Sequence, residues 1–291
     1  MNPAYPTAFA GIGEWAREAG VPVNEARIRF AQFTILQAIA ASRQLREGLV
    51  FKGGNALDFI WQPNRSTSDL DFSVDHGVLH DAADEARIKA LLERAVAAAA
   101  PGVGVAMQVT RVRAQPPGAG RTFVTYQARL TYALPDEPRL RLRLEHGEVI
   151  AQGIDLDISI NEPICEARWV EVCPDSAIRV ATLEDIVAEK LRALLQQPIR
   201  NRLRRQDLLD IAVILRGQPE LSRGRVAQFL VTKADARNVP VSRAAFHNPG
   251  VAERASRDYA ALEITTRASF IPYDEALRLL HAFVEELPLP E

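Results

Sequence analysis

The stretch Leu49-Val-Phe-Lys-Gly-Gly-Asn-Ala-Leu-Asp-Phe-Ile-Trp61, followed by Arg65-Ser-Thr-Ser-Asp-Leu-Asp-Phe-Ser-Val-Asp75, organises the chain. Its pattern predicts a short apolar strand, a double-glycine turn, a helix, a polar loop and a second strand. Because side chains alternate along a strand, Asp69 and Asp71 are expected on the face opposite the apolar residues of the second strand. Two carboxylates held on a strand beside a glycine turn can bind metal-associated phosphates.

The composition is that of a soluble globular protein with one large domain or two of ordinary size. The chain has 291 residues, of which 47% are hydrophobic and 25% charged, and its net charge is −2. With this net charge the chain as a whole is not basic, so any nucleic-acid binding is expected to depend on a local basic surface. The spacing of Cys165 and Cys173 indicates neither a structural zinc site nor a disulfide framework.

No targeting or membrane segment is expected from the sequence. The N-terminus lacks a basic region followed by an apolar run, so it does not resemble a signal peptide. No apolar run reaches the length of about 18 residues that a membrane span needs. We therefore expect a cytoplasmic protein without a membrane partner.

Lysine is rare in this chain, and nearly all other positive charge is arginine. A lysine retained against this bias is a weak indication that a compact ammonium is needed at that position. The four lysines are Lys52, Lys89, Lys190 and Lys233.

Alternation and turn composition predict an α/β part over residues 1–175. Helices are expected at 24–47, starting at Asn24, and at 56–61 and 84–100, with a loop at 63–68. Strands are expected at 49–51, 69–74, 103–112, 122–132, 139–145 and 154–160. The strand at 139–145 would carry Arg139, Arg141 and Arg143 on one face, and the strand at 154–160 would carry Asp155 and Asp157 together.

The remaining residues, 176–291, are expected to be helical and to complete the active-site cleft. Thr182 and Asp185 approximate a capping box before a helix at 186–195, which Pro198 is expected to end. Further helices are expected at 207–215, 222–234 and 273–287. A second basic patch lies between the first two helices and consists of Arg200, Arg202, Arg204 and Arg205.

Each chemical signal has an ordinary structural explanation when taken alone. A glycine pair is commonly a turn, and an Asp-x-Asp strand is commonly a solvated face. Together, the turn and the helix start can bind phosphates through backbone N–H groups, while Asp69 and Asp71 hold Mg²⁺. A third carboxylate on a neighbouring strand, Asp157 or alternatively Asp155, would complete a two-metal arrangement.

These residues resemble a known family. Phe51-Lys-Gly-Gly-Asn-Ala-Leu57 with Arg65-Ser-Thr-Ser-Asp-Leu-Asp-Phe72 is similar to the signature of the DNA polymerase β-like nucleotidyltransferase superfamily, and more narrowly to its AbiEii/AbiGii-type toxins, which include the MenT toxins. Glu189-Lys-Leu-Arg-Ala-Leu-Leu-Gln196 and Arg205-Gln-Asp-Leu-Leu-Asp210 resemble the downstream motifs of that group. The resemblance spans residues 49–215, and Asn55 and Thr67 depart from its usual Thr and Ser.

The resemblance implies an α+β polymerase β-like nucleotidyltransferase fold, a mixed sheet flanked by helices with a mainly helical C-terminal part. It implies Asp69 and Asp71 as metal carboxylates, Lys190 as a phosphate-binding or charge-neutralising group, and Asp207 as a further acidic active-site residue. Local sequence alone also allows Lys190 to be a surface lysine paired with Glu189 or Asp185, and Asp207 to be an acid at a helix N-terminus. The expected nucleotide-binding residues are Gly53, Gly54, Asn55, Thr67, Ser68 and Lys190.

The implied activity is Mg²⁺-dependent transfer of a nucleoside monophosphate from an NTP to an acceptor hydroxyl, with Mn²⁺ as the alternative ion. In MenT-like toxins the acceptor would be the 3′ end of tRNA, and its modification would block translation until an antitoxin intervenes. The second basic patch would bind the RNA backbone. The alternatives are a protein or small-molecule acceptor, and a non-catalytic nucleotide-binding module that acts through a partner.

Overall fold

The chain divides into two compact units. A computed structural model describes residues 5–61, 67–79, 84–117, 123–218, 220–266 and 269–291. The sheet unit comprises Met1–Ile60, Thr67–Glu162 and Arg168–Val180, and the helical unit comprises Trp61–Ser66, Pro163–Ala167 and Ala181–Glu291. The predicted α+β class is confirmed. The prediction that the C-terminal residues complete an active-site cleft stays a prediction.

The described part of the chain forms a seven-stranded mixed sheet with the order β3-β4-β5-β2-β1-β7-β6. Strand β2 runs parallel to β5 and antiparallel to β1, and β1 runs parallel to β7. The strands are β1 Leu49–Lys52, β2 Leu70–Val74, β3 Ala106–Gln115, β4 Thr125–Ala133, β5 Gly153–Ser159, β6 Ala167–Cys173 and β7 Ser176–Ala181.

Six helices of the described residues belong to the sheet unit, and α4 runs directly into a π-helical segment, Leu57–Trp61. Within this unit α2 and α5 contact each other, and each contacts the sheet. The helices are α1 Ile12–Ala19, α2 Val23–Ala41, α3 Arg43–Gly48, α4 Gly53–Ala56, α5 Glu85–Ala99 and α6 Pro138–Glu145.

The core of the sheet unit follows from the alternation along β2 and β5. In β5 the burial alternates residue by residue, with Ile154, Leu156 and Ile158 buried and the residues between them partly exposed. Leu70 and Phe72 are buried in the same way on β2. The opposite face is therefore the one that carries the polar side chains of both strands. Residues 63–66 of the predicted loop and residue 122 of a predicted strand lie outside the described residues.

The predicted helix at 24–47 is two helices. Ser42 has extended backbone angles, with φ −87° and ψ 108°, and the chain starts a new helix at Arg43. The first helix begins at Val23 after Pro22, so Asn24 lies inside it and is not its cap. Apolar residues continue across the break, and periodicity therefore does not reveal it.

The predicted strand at 139–145 is wrong, because this segment is helix α6. Pro138 occupies the first helical turn, where its fixed φ suits a helix start. Leu140 and Leu144 pack in one cluster with buried Ala133 and Ile150. A helix brings residues four apart together in this way, whereas a strand would hold them about 13 Å apart. The alternating Leu and Arg residues can therefore form a helix in which Leu140 and Leu144 pack inward, while Leu142 is exposed.

The first predicted basic patch disappears with that strand. Arg141 donates to the carbonyl oxygen of Gly104, and Arg143 forms an ion pair with Glu148 at 2.7 Å. Arg139 is exposed. These arginines therefore do not form one positively charged face.

The helical unit contains seven helices within the described ranges. Across the chain, none of the described helices is both long and apolar enough to span a bilayer. The helices of this unit are α7 Leu183–Arg200, α8 Arg205–Gly217, α9 Arg223–Asp235, α10 Arg243–Phe246, α11 Pro249–Ser256, α12 Leu262–Thr265 and α13 Tyr273–Glu286.

The prediction that Pro198 ends its helix is wrong, because α7 continues to Arg200. Proline has no N–H, so the carbonyl oxygen four residues earlier, that of Leu194, loses its usual donor. The buried side chain of Gln197 replaces this donor at 3.3 Å. The same side chain accepts from the backbone N–H of Arg204 at 2.7 Å, which ties the end of α7 to the start of α8.

Replacing Gln197 by Ala should lower the free energy of unfolding by about 2–3 kcal/mol, because buried backbone groups lose their partners. Urea denaturation of the two proteins measures this difference. The matched control is Gln196→Ala, since Gln196 is only half-buried and bonds to Arg192 on its own helix. Equal losses for the two variants would contradict this account of the proline turn.

Candidate active site

The strand register assembles one row of polar side chains across four neighbouring strands. Lys52 on β1 lies opposite Asp71 on β2, Asp71 lies beside Asp157 on β5, and Asp157 lies opposite Gln127 on β4. Paired residues of neighbouring strands point to the same face of a sheet. We call Lys52, Asp71, Asp157 and Gln127 the charged row.

The two carboxyls of the charged row lie in an environment that disfavours their negative charge. The pKa of Asp71 is raised from 3.8 to about 6, chiefly by burial, and the Lys52 ammonium partly opposes this rise. The nearby carboxylates, Asp157 and Asp69 among them, contribute to the raised value. Burial also raises the pKa of Asp157, against a hydrogen bond from Gln127. The row therefore concentrates negative charge that an added cation would neutralise.

The structure distinguishes the two candidates for the third carboxylate. Asp157 is the direct neighbour of Asp71. Asp155 lies opposite Arg129 and forms an ion pair with it at 2.6 Å. Its charge is thus already balanced at the surface, and Asp157 is the residue that the structure brings to Asp71.

Gly53 provides the space that the Asp71 carboxylate occupies. Its φ of +73° favours glycine, and a Cβ at this position would overlap the Asp71 side chain. Glycine is therefore required at position 53, both for its positive φ and for the close approach of the Asp71 side chain. Gly54 follows it within the short helix α4.

Two buried amide side chains hold the segment that leads to Asp69. Gln32 on α2 donates to the carbonyl oxygens of Thr67 and Ser68, both at 3.0 Å. Asn55 donates to those of Thr67, at 3.2 Å, and Asp69. Asn55 is fully buried, so its visible contribution is to position this backbone.

The two predicted hydroxyl residues of this segment differ in environment. Ser68 is exposed, and its hydroxyl donates to the Asp69 carboxylate at 2.7 Å. The hydroxyl oxygen of Thr67 is buried and has no hydrogen-bond partner within the described residues. An unsatisfied buried hydroxyl beside exposed Asp69 is the kind of group that a bound ligand would satisfy.

The donor chemistry of this face fits a hard divalent cation. Carboxylate oxygens are the ligands that Mg²⁺ prefers, and one or two of them suffice when substrate phosphates supply the others. Asp69 and Asp71 are such a pair, with Asp157 beside them. Among the described residues, no three His, Cys, Asp or Glu side chains converge on a single ready-made metal position.

Within the helical unit, Lys190 joins the predicted Asp207 to a second acidic residue, Asp210. Its ammonium on α7 lies 2.9 Å from Asp207 and 2.7 Å from Asp210, both on α8. The side chains of Lys190 and Asp210 are 8% and 1% exposed, whereas that of Asp207 is 14% exposed. One buried cation thus balances two carboxylates, and Asp207 is the more accessible of the two.

The alternative partners considered for Lys190 have ion pairs elsewhere. Glu189 pairs with Arg192 one turn along the same helix. Asp185 lies 3.0 Å from Lys233. The simple surface-lysine interpretation of Lys190 is therefore wrong, since the residue is buried and bridges two helices.

The second basic patch is only partly available. Arg205 lies 3.3 Å from Asp258, and Arg204 lies 3.8 Å from Asp207. Arg200 and Arg202 are exposed, and neither forms an ion pair with the residues that the structure describes.

Sequence reasoning assigned no site role to Glu162, Ser159 or Gln32, and it noted Lys52 only as one of few lysines and as part of the Phe51-Lys-Gly-Gly motif. Lys52 forms an ion pair with Glu162 and donates to Ser159 at 3.1 Å. The scarcity of lysine was a usable signal, because Lys52, Lys190 and Lys233 all pair with carboxylates at partly or fully buried positions. No sequence pattern pointed to Glu162.

Replacing Asp71 by Asn should remove part of the pH dependence of stability in metal-free buffer. The carboxyl binds its proton more tightly in the folded state, with a pKa of about 6 against 3.8 unfolded. Its contribution is therefore favourable at low pH and is lost as the pH rises from about 4 to about 6, by about 1–3 kcal/mol.

Urea denaturation with EDTA at several pH values between 4 and 8 tests this expectation. The wild type minus Asp71→Asn difference should fall as the pH rises through that window. Asp155→Asn is the matched control, because Asp155 is ion-paired on the same sheet. Parallel curves for wild type and Asp71→Asn would contradict the assignment.

Lys190→Met should lower the free energy of unfolding by about 3 kcal/mol, because it leaves the buried Asp210 carboxylate without this cation. The double variant Lys190→Met with Asp210→Asn should recover part of that loss. The control is Lys89→Met. The Lys89 side chain is 45% exposed and lies 3.7 Å from Glu93, so its replacement should change the free energy of unfolding by no more than about 0.5 kcal/mol. Failure of the double variant to recover stability would refute the buried-charge explanation.

A family model described as the nucleotidyl transferase AbiEii toxin of type IV toxin–antitoxin systems matches residues 34–278. A comparison with curated protein sequences finds no significant match.

Three solved structures are similar over most of their length. MenT4, a nucleotidyltransferase toxin from Mycobacterium tuberculosis H37Rv, is 18% identical, with a TM-score of 0.59 and coverage of 95% of this chain and 90% of that chain. JHP933 from Helicobacter pylori is 15% identical, with a TM-score of 0.49 and 90% coverage of both chains. A putative nucleotidyltransferase from H. pylori is 16% identical, with a TM-score of 0.48 and coverage of 90% and 92%. At these identities MenT4 supports the fold alone, whereas the family model spans most of the sequence, and this chain belongs to the AbiEii nucleotidyltransferase toxin family.

Proposed function

We propose that this toxin transfers a nucleoside monophosphate from an NTP to the 3′ end of tRNA, which prevents aminoacylation and stops translation. The observation that supports the chemistry is the charged row, in which Asp71 and Asp157 lie side by side next to the space at Gly53. Rigid strands hold these carboxylates, as phosphoryl transfer requires, because its catalysis is mostly positioning and charge neutralisation.

Asp69 and Asp71 would hold a Mg²⁺ or Mn²⁺ ion, with Asp157 as the further carboxylate. When bound, the ion would neutralise charge on the triphosphate and on the leaving pyrophosphate. The hydrogen bonds from Gln32 and Asn55 fix the backbone before Asp69, so the carboxylates are positioned before the substrate arrives.

In the proposed reaction, the acceptor hydroxyl oxygen forms a bond to the α-phosphorus and the bond to the β-phosphate oxygen breaks. Pyrophosphate leaves, and the hydroxyl proton passes to a carboxylate of the charged row. We assign to Lys190, held by Asp207 and Asp210, the role of a phosphate-binding cation. A lysine ammonium is suited to this role as a compact charge.

Arg200 and Arg202 are the arginines of the second basic patch that we propose to contact RNA, since both are exposed. A single-stranded 3′ end suits such backbone contacts, and these supply affinity without sequence preference. The proposed acceptor places the activity in the cytoplasm. Membership of a toxin–antitoxin family supports a cognate antitoxin as the physiological partner.

The proposal is tested by incubating the protein with total tRNA, Mg²⁺ and each α-³²P-labelled NTP in turn. We expect label on tRNA with at least one nucleotide, and at least about a 100-fold slower rate for Asp71→Ala, which removes a carboxylate of the row. Asp155→Ala should keep most of the rate, because Asp155 is bound to Arg129.

The other outcomes discriminate between functions. If protein or a small molecule is labelled and tRNA is not, the acceptor differs from the one proposed, and the nucleotidyl transfer itself is retained. Binding of NTP without label on any acceptor would favour a nucleotide-binding module. Equal labelling by wild type and Asp71→Ala would contradict the proposed active site.

A further inference from the structure

We propose that Lys52 is a phosphate-binding cation of this site, and that Glu162 occupies it in the nucleotide-free protein as a substitute for a phosphate group. Substrate binding would then exchange the Glu162 carboxylate for a phosphate oxygen on the Lys52 ammonium. This inference rests on the proposed function and adds a residue pair to its substrate site.

The position of Lys52 supports the first half of the inference. It is the last residue of β1, directly before Gly53 and opposite Asp71 in the register. Its side chain is 17% exposed, so a ligand can reach the ammonium. A phosphate group that approaches the Gly53 turn and the Asp71 carboxylate therefore meets this ammonium.

Charge balance in the sheet unit points the same way. The Asp71 carboxyl experiences the charge of the Lys52 ammonium and of three further carboxylates, those of Asp157, Glu162 and Asp69. A triphosphate adds further negative charge to this surface, so it needs a cation that is not permanently engaged. Lys52 is the cation of the charged row, and its ion pair with Glu162 must open before its ammonium can bind a substrate phosphate.

Glu162 differs from the other three carboxylates in its structural support. Asp71 and Asp157 lie on central strands, and the backbone carbonyl of Asp69 accepts from the buried amide of Asn55. Glu162 follows β5 in a segment that forms neither helix nor strand. It can therefore withdraw without disturbing the sheet register.

The chemistry of the exchange is simple. Carboxylate and phosphate oxygens both accept charge-assisted hydrogen bonds from an ammonium. The Glu162 side chain is only 8% exposed, and without a cation beside it its burial would be costly. Lys52 and Glu162 thus satisfy each other in the free protein, and Ser159 keeps the ammonium in place through its 3.1 Å hydrogen bond during the exchange.

A purely structural salt bridge makes the opposite prediction. If Glu162 served only to orient Lys52, its removal would loosen the ammonium and weaken phosphate binding. If Glu162 competes with phosphate, its removal strengthens binding. The sign of one affinity change therefore decides between the two roles.

Calorimetric titration of the full chain with inorganic tripolyphosphate in Mg²⁺ buffer measures this sign, because that anion is the part common to all NTPs. We expect Glu162→Gln to bind about tenfold more tightly, since the ion pair no longer has to open first. Lys52→Met should bind at least about tenfold more weakly, and the double variant no more tightly than Lys52→Met.

Asp155→Asn controls for a general loss of negative charge, because it removes a carboxylate of the same sheet that pairs with Arg129. Equal or weaker binding by Glu162→Gln, or an equal gain in Asp155→Asn, overturns the inference. Glu162→Ser provides a second test if the Gln variant folds poorly, with the same expected gain.

The tRNA labelling assay separates this inference from the proposed function. Wild-type labelling without a gain in Glu162→Gln refutes the exchange and leaves the nucleotidyl transfer intact. A gain in Glu162→Gln without wild-type labelling of any acceptor refutes the transfer and supports Lys52 as a polyphosphate-binding residue.

Discussion

The register of β1, β2 and β5 is the constraint on which the candidate site depends. It places Lys52, Asp71 and Asp157 next to one another on one face, while Phe72 and Leu156 anchor the other face in the core. A slip of one residue in any of these pairings would turn the charged groups into the apolar core. Burial of the hydrophobic face therefore specifies the position of the carboxylates as strictly as it specifies the fold.

The surroundings of the charged row are arranged to tolerate concentrated negative charge. Lys52 opposes the repulsion at Asp71, Gln127 donates to Asp157, and Gly53 leaves space for the carboxylate. The pKa of Asp71 is nevertheless raised, first by burial and then by the neighbouring carboxylates. The divalent cation that we propose for this site would supply the missing positive charge when it binds.

Much of the fold and site could be read from local patterns, and the failures have common physical causes. The alternation in β2 and β5 correctly placed Asp71 and Asp157 opposite the core. The segment at 138–145 alternates as a strand would, yet packing of Leu140 and Leu144 selects a helix. Pro198 was expected to stop a helix, but a side chain elsewhere in the turn replaces its missing donor. In these cases tertiary contacts overrode a local preference.

The amino-acid sequence by itself determined the alternating strands, the glycine turn, the ordered motifs of the nucleotidyltransferase toxins and the carboxylates that those motifs contain. Each of these depends on residues close together in the chain. Only the tertiary structure decided that Asp157 and not Asp155 neighbours Asp71, that Lys190 bridges Asp207 and Asp210, and that Glu162 pairs with Lys52. Those pairings join residues far apart in sequence, and strand register and helix packing, which set them, leave no local pattern to read.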